Sequence, residues 1–325
     1  MHRKIGLEEH FAIPETLSDS RGYLPDETWS ELRARVLDIH ERRLREMDQH
    51  GIEMMILSLN APAIQAIPDA ARADEVARKA NDYLAEQVHW RPDRFQGLAA
   101  LRIQDPERAA AELERCVGDL GFRGALVNGF SDLADSTLYY DLPQYRPVWA
   151  AVERLDVPFY LHPRSPLARD ARLYDGHPWM LGAAWAFGNE TAVHALRLMG
   201  SGLFDEFPKL QIVIGHMGEG IPFGLWRIDH CNLGAQKTDG KNAKKKIADY
   251  FISNFHVTTS GHFSTPALIH TIMQMGSDRV MFSVDWPFEE IEHGCVWFDK
   301  ADISENDRRK IGRDNAAKLL KLKLS

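Results

Sequence analysis

Cysteine is scarce and scattered in this chain of 325 residues: Cys116, Cys231 and Cys295 stand alone, with no CxxC pair. An odd number of well-separated thiols suits a reducing compartment better than a disulfide framework. Long apolar runs are missing too. No stretch approaches the roughly 18 uninterrupted apolar residues of a membrane helix. The chain passes from Met1 into the charged, strand-like Lys4-Ile5-Gly6-Leu7 without an apolar signal core. The expectation is a cytoplasmic protein with no membrane partner. No G-x-G-x-x-G follows a strand-like run, which removes the main support for a dinucleotide-binding sheet. Positive charge is in deficit: 39 Lys and Arg against 47 Asp and Glu leave a formal net charge of −8. That balance argues against nucleic acid as a partner. The one basic run, Lys241 to Lys246 with Lys237 before it, has no interleaved aromatics and no Gly-rich cradle, so it reads as a solvated loop and helix start.

What is present is ordinary for a globular enzyme, with 44% hydrophobic and 26% charged residues. Short β-rich runs alternate with longer amphipathic ones from end to end, the pattern of parallel strands joined by helical crossovers. The strand-like runs are Ile5 to Glu8, Glu53 to Ser58, Phe95 to Leu101, Gly124 to Asn128, Pro158 to His162, Gln211 to His216, Phe255 to Thr259 and Val280 to Asp285. Helices are expected over Glu27 to His50, Ala70 to Val88, Pro106 to Leu120, Thr191 to Gly200, Thr265 to Met275 and Glu305 to Leu322. Asp105-Pro106 and Ser264-Thr265-Pro266 carry start signals, an N-cap residue followed by proline in the first turn. Eight strands separated by helices predict an α/β fold, a (β/α)8 barrel spanning residues 1–325 as one domain. The longest irregular stretches, Ala12 to Pro25 and Pro163 to Gly182, would follow strands one and five and rise around the catalytic mouth.

Ionisable residues end several of these strands. Glu8 and His10 flank Glu9, and alternate strand residues point the same way, so Glu8 and His10 can share an ion while Glu9 points elsewhere. Hydrophobic strands also terminate in His162 and His216, and the last strand ends on Asp285. Taken singly, each has a plain reading as a solvated acid or a hydrogen-bonded core histidine. Together they fall at the carboxyl ends of strands one, five, six and eight, which a barrel brings to one mouth. Glu8, His10, His162 and Asp285 are the expected ligands of one divalent metal, Mn²⁺ or Zn²⁺, with no organic cofactor. A noncatalytic barrel for binding or assembly, with a purely structural metal, fits poorly, because structural sites are closed and usually Cys-rich whereas this set has no Cys and leaves coordination positions open.

These residues resemble the amidohydrolase superfamily, in its branch of nonoxidative decarboxylases. The likeness rests on Glu8-x-His10, His162, His216-x-x-Glu219 and Asp285-Trp286-Pro287. It extends through Leu7 to Pro14, Leu59-Asn60-Ala61-Pro62-Ala63, Leu126 to Phe130, Tyr139 to Pro143 and Tyr174 to Trp179. Hydrolytic members of the superfamily commonly carry His-x-His after strand one and a carboxylated lysine after strand four. Here Glu8 takes the first place and Val127-Asn128 offers no lysine, so the resemblance implies a single metal ion. It further implies decarboxylation of an ortho-hydroxybenzoate, 2,6-dihydroxybenzoate first among them, by protonation of the ring carbon. Asp285 would deliver the proton with His216 relaying it and Glu219 fixing the imidazole, although the roles of Asp285 and His216 could be exchanged. Arg227 would hold a substrate carboxylate, in its own or a neighbouring subunit of a homotetramer; its plain alternative is pairing with Asp229. Tyr23, Asn128, Trp185 and Phe288 are expected pocket walls on the same grounds. The competing activity is hydrolysis of a lactone or amide, for which the same ligands would serve.

Overall fold

In the computed structural model, which describes residues 2–22, 26–132, 137–232 and 242–324, the eight expected strands form a parallel barrel. They are β1 Lys4–Phe11, β2 Ile52–Leu59, β3 Phe95–Gly97, β4 Ala125–Asn128, β5 Phe159–His162, β6 Ile212–Ile214, β7 Phe255–Thr258 and β8 Val280–Met281. Hydrogen-bonded ladders run β1-β2-β3 and β4-β5-β6-β7-β8, and a parallel bridge between Ala99 and Ala125 joins the two arcs. The remaining gap, between β8 and β1, has no ladder among the described residues. It is crossed by His10 N–H donating to Trp286 O at 2.6 Å, by Glu8 N–H donating to Ser283 Oγ at 2.8 Å, and by the side chain of Glu9.

Two apolar shells hold this arrangement. Inside the barrel, alternate strand residues Ile5, Leu7, Met54, Ile56, Leu98 and Val213 pack on one another, with Ala316 of the C-terminal helix and Leu320 just after it closing the amino-terminal end. Outside it, the opposite faces of the strands meet the helices. The helices are α1 Asp26–Leu37, α2 Arg42–His50, α3 Ala70–Trp90, α4 Pro106–Gly118, α5 Arg146–Leu155, α6 Ala186–Gly200, α7 Ile221–Asn232, α8 Ile247–Asn254, α9 Thr265–Met275 and α10 Ile291–Lys300. A C-terminal helix over residues 305–319 passes through a wide π turn at Lys310–Asp314. The expected caps are in place: Asp105 accepts from Arg108 N–H at 3.2 Å and Ser264 from Ala267 N–H at 3.5 Å.

Several expectations need correction. The helix expected over Glu27 to His50 is two helices, because the Asp38 carboxylate accepts from Arg42 N–H at 3.2 Å and Arg43 N–H at 2.8 Å, starting α2 afresh. Helices α5 and α10 lie outside the helical spans read from the sequence, while α8 begins directly after the basic run read as a helix start. Strand β8 ends four residues before Asp285. Beyond Met281 the backbone donors turn to side chains: Ser283 N–H to Thr259 Oγ1 at 3.0 Å and Val284 N–H to Glu9 Oε1 at 2.9 Å. Lys237 and Lys241 of the basic run, and Tyr23, lie outside the described residues. No helix among the described residues is long and apolar enough to cross a membrane.

Candidate active site at the carboxyl end of the barrel

Strand β1 carries an extra residue against β2. Gly6 pairs with Met55 but Glu9 pairs with Leu57, so three steps on one strand match two on the other. This bulge lets Glu8 follow Leu7 on the interior side, while ordinary alternation sends Glu9 to the other. Glu8 faces the barrel interior with His10, and it is fully buried. There Glu8, His10, His162 and Asp285 each offer one ligand atom, all within 4.8 Å of one another. Three of those atoms, Glu8 Oε1, His10 Nε2 and Asp285 Oδ1, are buried without a hydrogen-bond partner. His162 Nε2 approaches Glu8 Oε1 to 3.0 Å and His10 Nε2 approaches Asp285 Oδ1 to 3.4 Å, yet neither pair is aligned as a hydrogen bond. Buried polar atoms left unpaired are costly, and four converging donors of this kind fit a divalent cation.

The neighbours of these donors orient them. Ser58 Oγ lies 3.2 Å from His10 Nδ1, leaving Nε2 for the cluster. Tyr160 donates to Glu8 Oε2 and lies 2.8 Å from Thr258 Oγ1, so the second oxygen of Glu8 is occupied while Oε1 stays free. Burial pushes Glu8 towards the neutral acid, but His216, His162 and His10 around it outweigh that effect and hold its carboxyl well below the usual range. Burial, and Glu8 beside it, push the Tyr160 hydroxyl well up, so it remains a donor. Sequence reasoning missed Tyr160 and Thr258. The available signal was alternation, since Tyr160 sits two residues before His162 on the same face of β5.

His216 follows β6 in an unusual turn. His216, Met217, Gly218, Glu219 and Gly220 all have positive φ, from 49° to 86°. This is a left-handed turn, which costs most residues about 1–2 kcal/mol each. It sets His216 and Glu219 side by side: Nδ1 lies 2.8 Å from Glu219 Oε1, and Nε2 lies 3.7 Å from Asp285 Oδ2 and 3.9 Å from Glu8 Oε1. Burial opposes charge on the imidazole, but Glu219 and Glu8, with Asp285 close by and a bond to Glu219, raise its pKa well above the ordinary value. His216 thus has its Nδ1 held by Glu219 and its Nε2 turned towards Asp285.

The expected pocket walls separate. Phe288, 40% exposed, packs edge-on against His10 with ring centroids 5.7 Å apart. Asn128 pairs in register with His162 and keeps its buried Oδ1 without a partner, while its Nδ2 donates to Asn60 O at 3.2 Å. Trp185 is exposed at the start of α6. Arg227 is exposed on α7 and is not paired with Asp229, whose carboxylate instead accepts from Ile247 N–H at 2.8 Å and Ala248 N–H at 3.1 Å to start α8. Cavities of about 720 and 520 Å³ lie at the opposite, amino-terminal end of the barrel, beside Arg279 and Arg94, and include none of the cluster.

A parallel barrel gathering two imidazoles and two carboxylates at its mouth is the architecture of metal-dependent amidohydrolases. The chain belongs to the amidohydrolase family, whose model matches residues 18–322. It is 64% identical to the gamma-resorcylate decarboxylase of Rhodococcus jostii, with 99% of each chain covered. Among solved structures, it is 61% identical to a 2,6-dihydroxybenzoate decarboxylase complexed with 2,6-dihydroxybenzoate, with a TM-score of 0.97 and coverage of 99% and 100% of the two chains. A dihydroxybenzoic acid decarboxylase from Polaromonas sp., solved with manganese and 2-nitroresorcinol, is 63% identical over 99% of this chain and 98% of its own, also with a TM-score of 0.97.

Proposed function

We propose that this chain catalyses the metal-dependent, nonoxidative and reversible decarboxylation of 2,6-dihydroxybenzoate to resorcinol and CO₂. The observation that carries this reading is the placement of a proton-holding pair, His216 and Glu219, against Asp285 at the edge of a converging, unpaired ligand set. The relatives' substrate and manganese support it. Glu8, His10, His162 and Asp285 would hold one Mn²⁺ ion, which when bound supplies Lewis-acid charge and orientation for an acid bearing an ortho-hydroxyl. The reaction breaks the bond between the ring and its carboxylate and adds a proton at the same ring carbon. Asp285 delivers that proton. His216 reprotonates it across the 3.7 Å gap between Nε2 and Oδ2, and Glu219 holds Nδ1 so that Nε2 faces the site. Phe288 and Asn128 bound the ring pocket, with Trp185 at its rim.

The test is direct. Manganese-loaded protein given 2,6-dihydroxybenzoate is expected to release CO₂ and resorcinol, and to carboxylate resorcinol at high bicarbonate, because one site stabilises one transition state in both directions. The 3,5-isomer, lacking an ortho-hydroxyl, is expected to remain unreacted. Turnover of both isomers at equal rates sinks the ortho-chelation requirement, and hydrolysis of a lactone with no CO₂ from any hydroxybenzoate sinks the decarboxylase reading.

We further propose a homotetramer located in the cytoplasm. Support for association comes from α7 and α9, whose Phe223, Trp226 and Met273 are 87%, 72% and 78% exposed. Apolar side chains grouped on neighbouring helices of a folded protein mark a contact surface. Arg227 stands among them with no carboxylate within 4 Å among the described residues, available to a substrate carboxylate in its own or a neighbouring mouth. Three free thiols, two of them buried, support a reducing compartment. Light scattering is expected to give a mass four times that of the 36.9 kDa chain, and Trp226→Asp a smaller species. A monomeric wild type would refute the assembly.

A further inference from the structure

Glu9 takes no part in the ligand cluster, yet it is fully buried and packed with donors. Its Oε1 accepts from Ser283 Oγ–H at 2.9 Å and Val284 N–H at 2.9 Å, and its Oε2 accepts from Trp286 N–H at 3.0 Å. The two backbone donors belong to the residues on either side of Asp285. Asp285 itself sits at φ 82°, a conformation rare for a residue with a side chain, and such backbones persist only where their surroundings over-determine them. Room for the clamp is built into the strand that carries it. A Cβ on Gly6 would lie 2.3 Å from Glu9 Oε1, so only glycine at that position lets the carboxylate reach across the seam. No ladder joins β1 to β8 here; the seam is tied by His10 N–H to Trp286 O, by Glu8 N–H to Ser283 Oγ and by the three bonds of Glu9, which alone hold the N–H groups on both sides of Asp285.

We infer that Glu9 is the positioning residue for Asp285: its carboxylate grips the peptide N–H groups on both sides of Asp285 and fixes the backbone that aims Asp285 at Glu8, His10 and His162. The inference rests on the metal-binding and proton-donor roles proposed for Asp285. One carboxylate thereby couples the geometry of the two halves of the ligand set, and the adjacent Glu8 and Glu9 divide the work between an inward ligand and an outward clamp. A displacement of about 1 Å at a reacting group can cost on the order of 10²-fold in rate.

The test uses Glu9→Gln, which keeps the shape but places an amide donor against one of the N–H groups. Gly6→Ala serves as an independent variant that leaves Glu9 present but displaced. Both are expected to weaken Mn²⁺ binding about 10- to 100-fold. They are expected to lower kcat on the order of 10²-fold with KM changed by no more than about threefold, and to alter the visible spectrum of the Co²⁺-substituted protein. Asn315→Ala controls for simple destabilisation. It removes bonds of 2.7 Å to Ser277 O and 2.8 Å to Val280 O at the far end of β8. It is expected to lower Tm while leaving Mn²⁺ affinity and kcat unchanged. A folded Glu9→Gln or Gly6→Ala protein with wild-type Mn²⁺ affinity, Co²⁺ spectrum and kcat overturns the inference. So does failure of both to fold, which would make Glu9 a strut of the barrel and nothing more. Failure of the wild type to bind Mn²⁺ would instead remove the metal reading on which the inference rests.

Discussion

Asp285→Asn is expected to fold, to keep much of its metal affinity, and to lose turnover by about 10⁴-fold, at the upper end of what a general acid contributes. Asparagine is the informative replacement for two reasons. It tolerates positive φ better than most residues, so the backbone at 82° survives, and its amide oxygen can still face the cluster where Asp285 Oδ1 now lies unpartnered. What it cannot do is carry a transferable proton. The N–H groups of Val284 and Trp286 remain bonded to Glu9, which keeps the segment in place. The loss is therefore expected in kcat, with KM little changed, since the interaction removed is made in the transition state. Steady-state kinetics on metal-quantified protein decides it. Turnover near the wild-type level in a metal-loaded Asp285→Asn protein would pass the proton-delivery role to His216.

Much of this site was legible in the sequence, because strand alternation and the barrel rule together locate ionisable residues at one mouth. Glu8, His10, His162 and Asp285 come together as that reasoning expects, from three strands or strand ends separated by up to hundreds of residues. What was not legible depends on departures from regular structure. The bulge in β1 that brings Glu8 onto the same side as Leu7 leaves no mark in the hydrophobic pattern. Strand β8 reads as six residues by composition but ends after two, because side chains of Thr259 and Glu9 take over the backbone donors. The break at Asp38 was hidden inside a polar, helix-favouring stretch, where only the cap bonds reveal it. Arg227 shows a different gap. Its neighbour Asp229 seemed its natural partner from two residues away, but a helix start elsewhere in the chain claims that carboxylate.

The strained turn after β6 gives the site its second large prediction. A run of positive φ from His216 to Gly220 is expensive, and it brings together one productive contact, Glu219 behind His216 at 2.8 Å. In this turn Glu219 backs Nδ1 while Nε2 stays turned to Asp285 Oδ2 at 3.7 Å and Glu8 Oε1 at 3.9 Å. The neighbouring helix makes space for it. A Cβ on Gly188 of α6 would lie 3.0 Å from Glu219 Oε2, so that residue must stay small for Glu219 to sit where it does.

His216→Asn is accordingly expected to cut turnover by about 10²- to 10⁴-fold while metal content stays close to wild type. Asparagine accepts the φ of 49° at this position, so the turn persists. The four-residue ligand set is untouched, since His216 is not among the four residues whose ligand atoms all lie within 4.8 Å of one another. Losing the imidazole removes the group that holds a proton beside Asp285, so each cycle must wait for reprotonation from water. Glu219→Gln is expected to give a smaller loss of the same kind. Its amide can still meet Nδ1, but without the negative charge that, with Glu8, keeps the imidazole protonated against the cost of burial. The two losses are expected to be non-additive in the double variant, because both act through one proton relay. Rapid-quench turnover on Mn²⁺-loaded proteins, with metal measured on the same samples, makes the comparison. Additive losses, or a His216→Asn protein that has lost its metal, would move His216 out of the relay and into the ligand set.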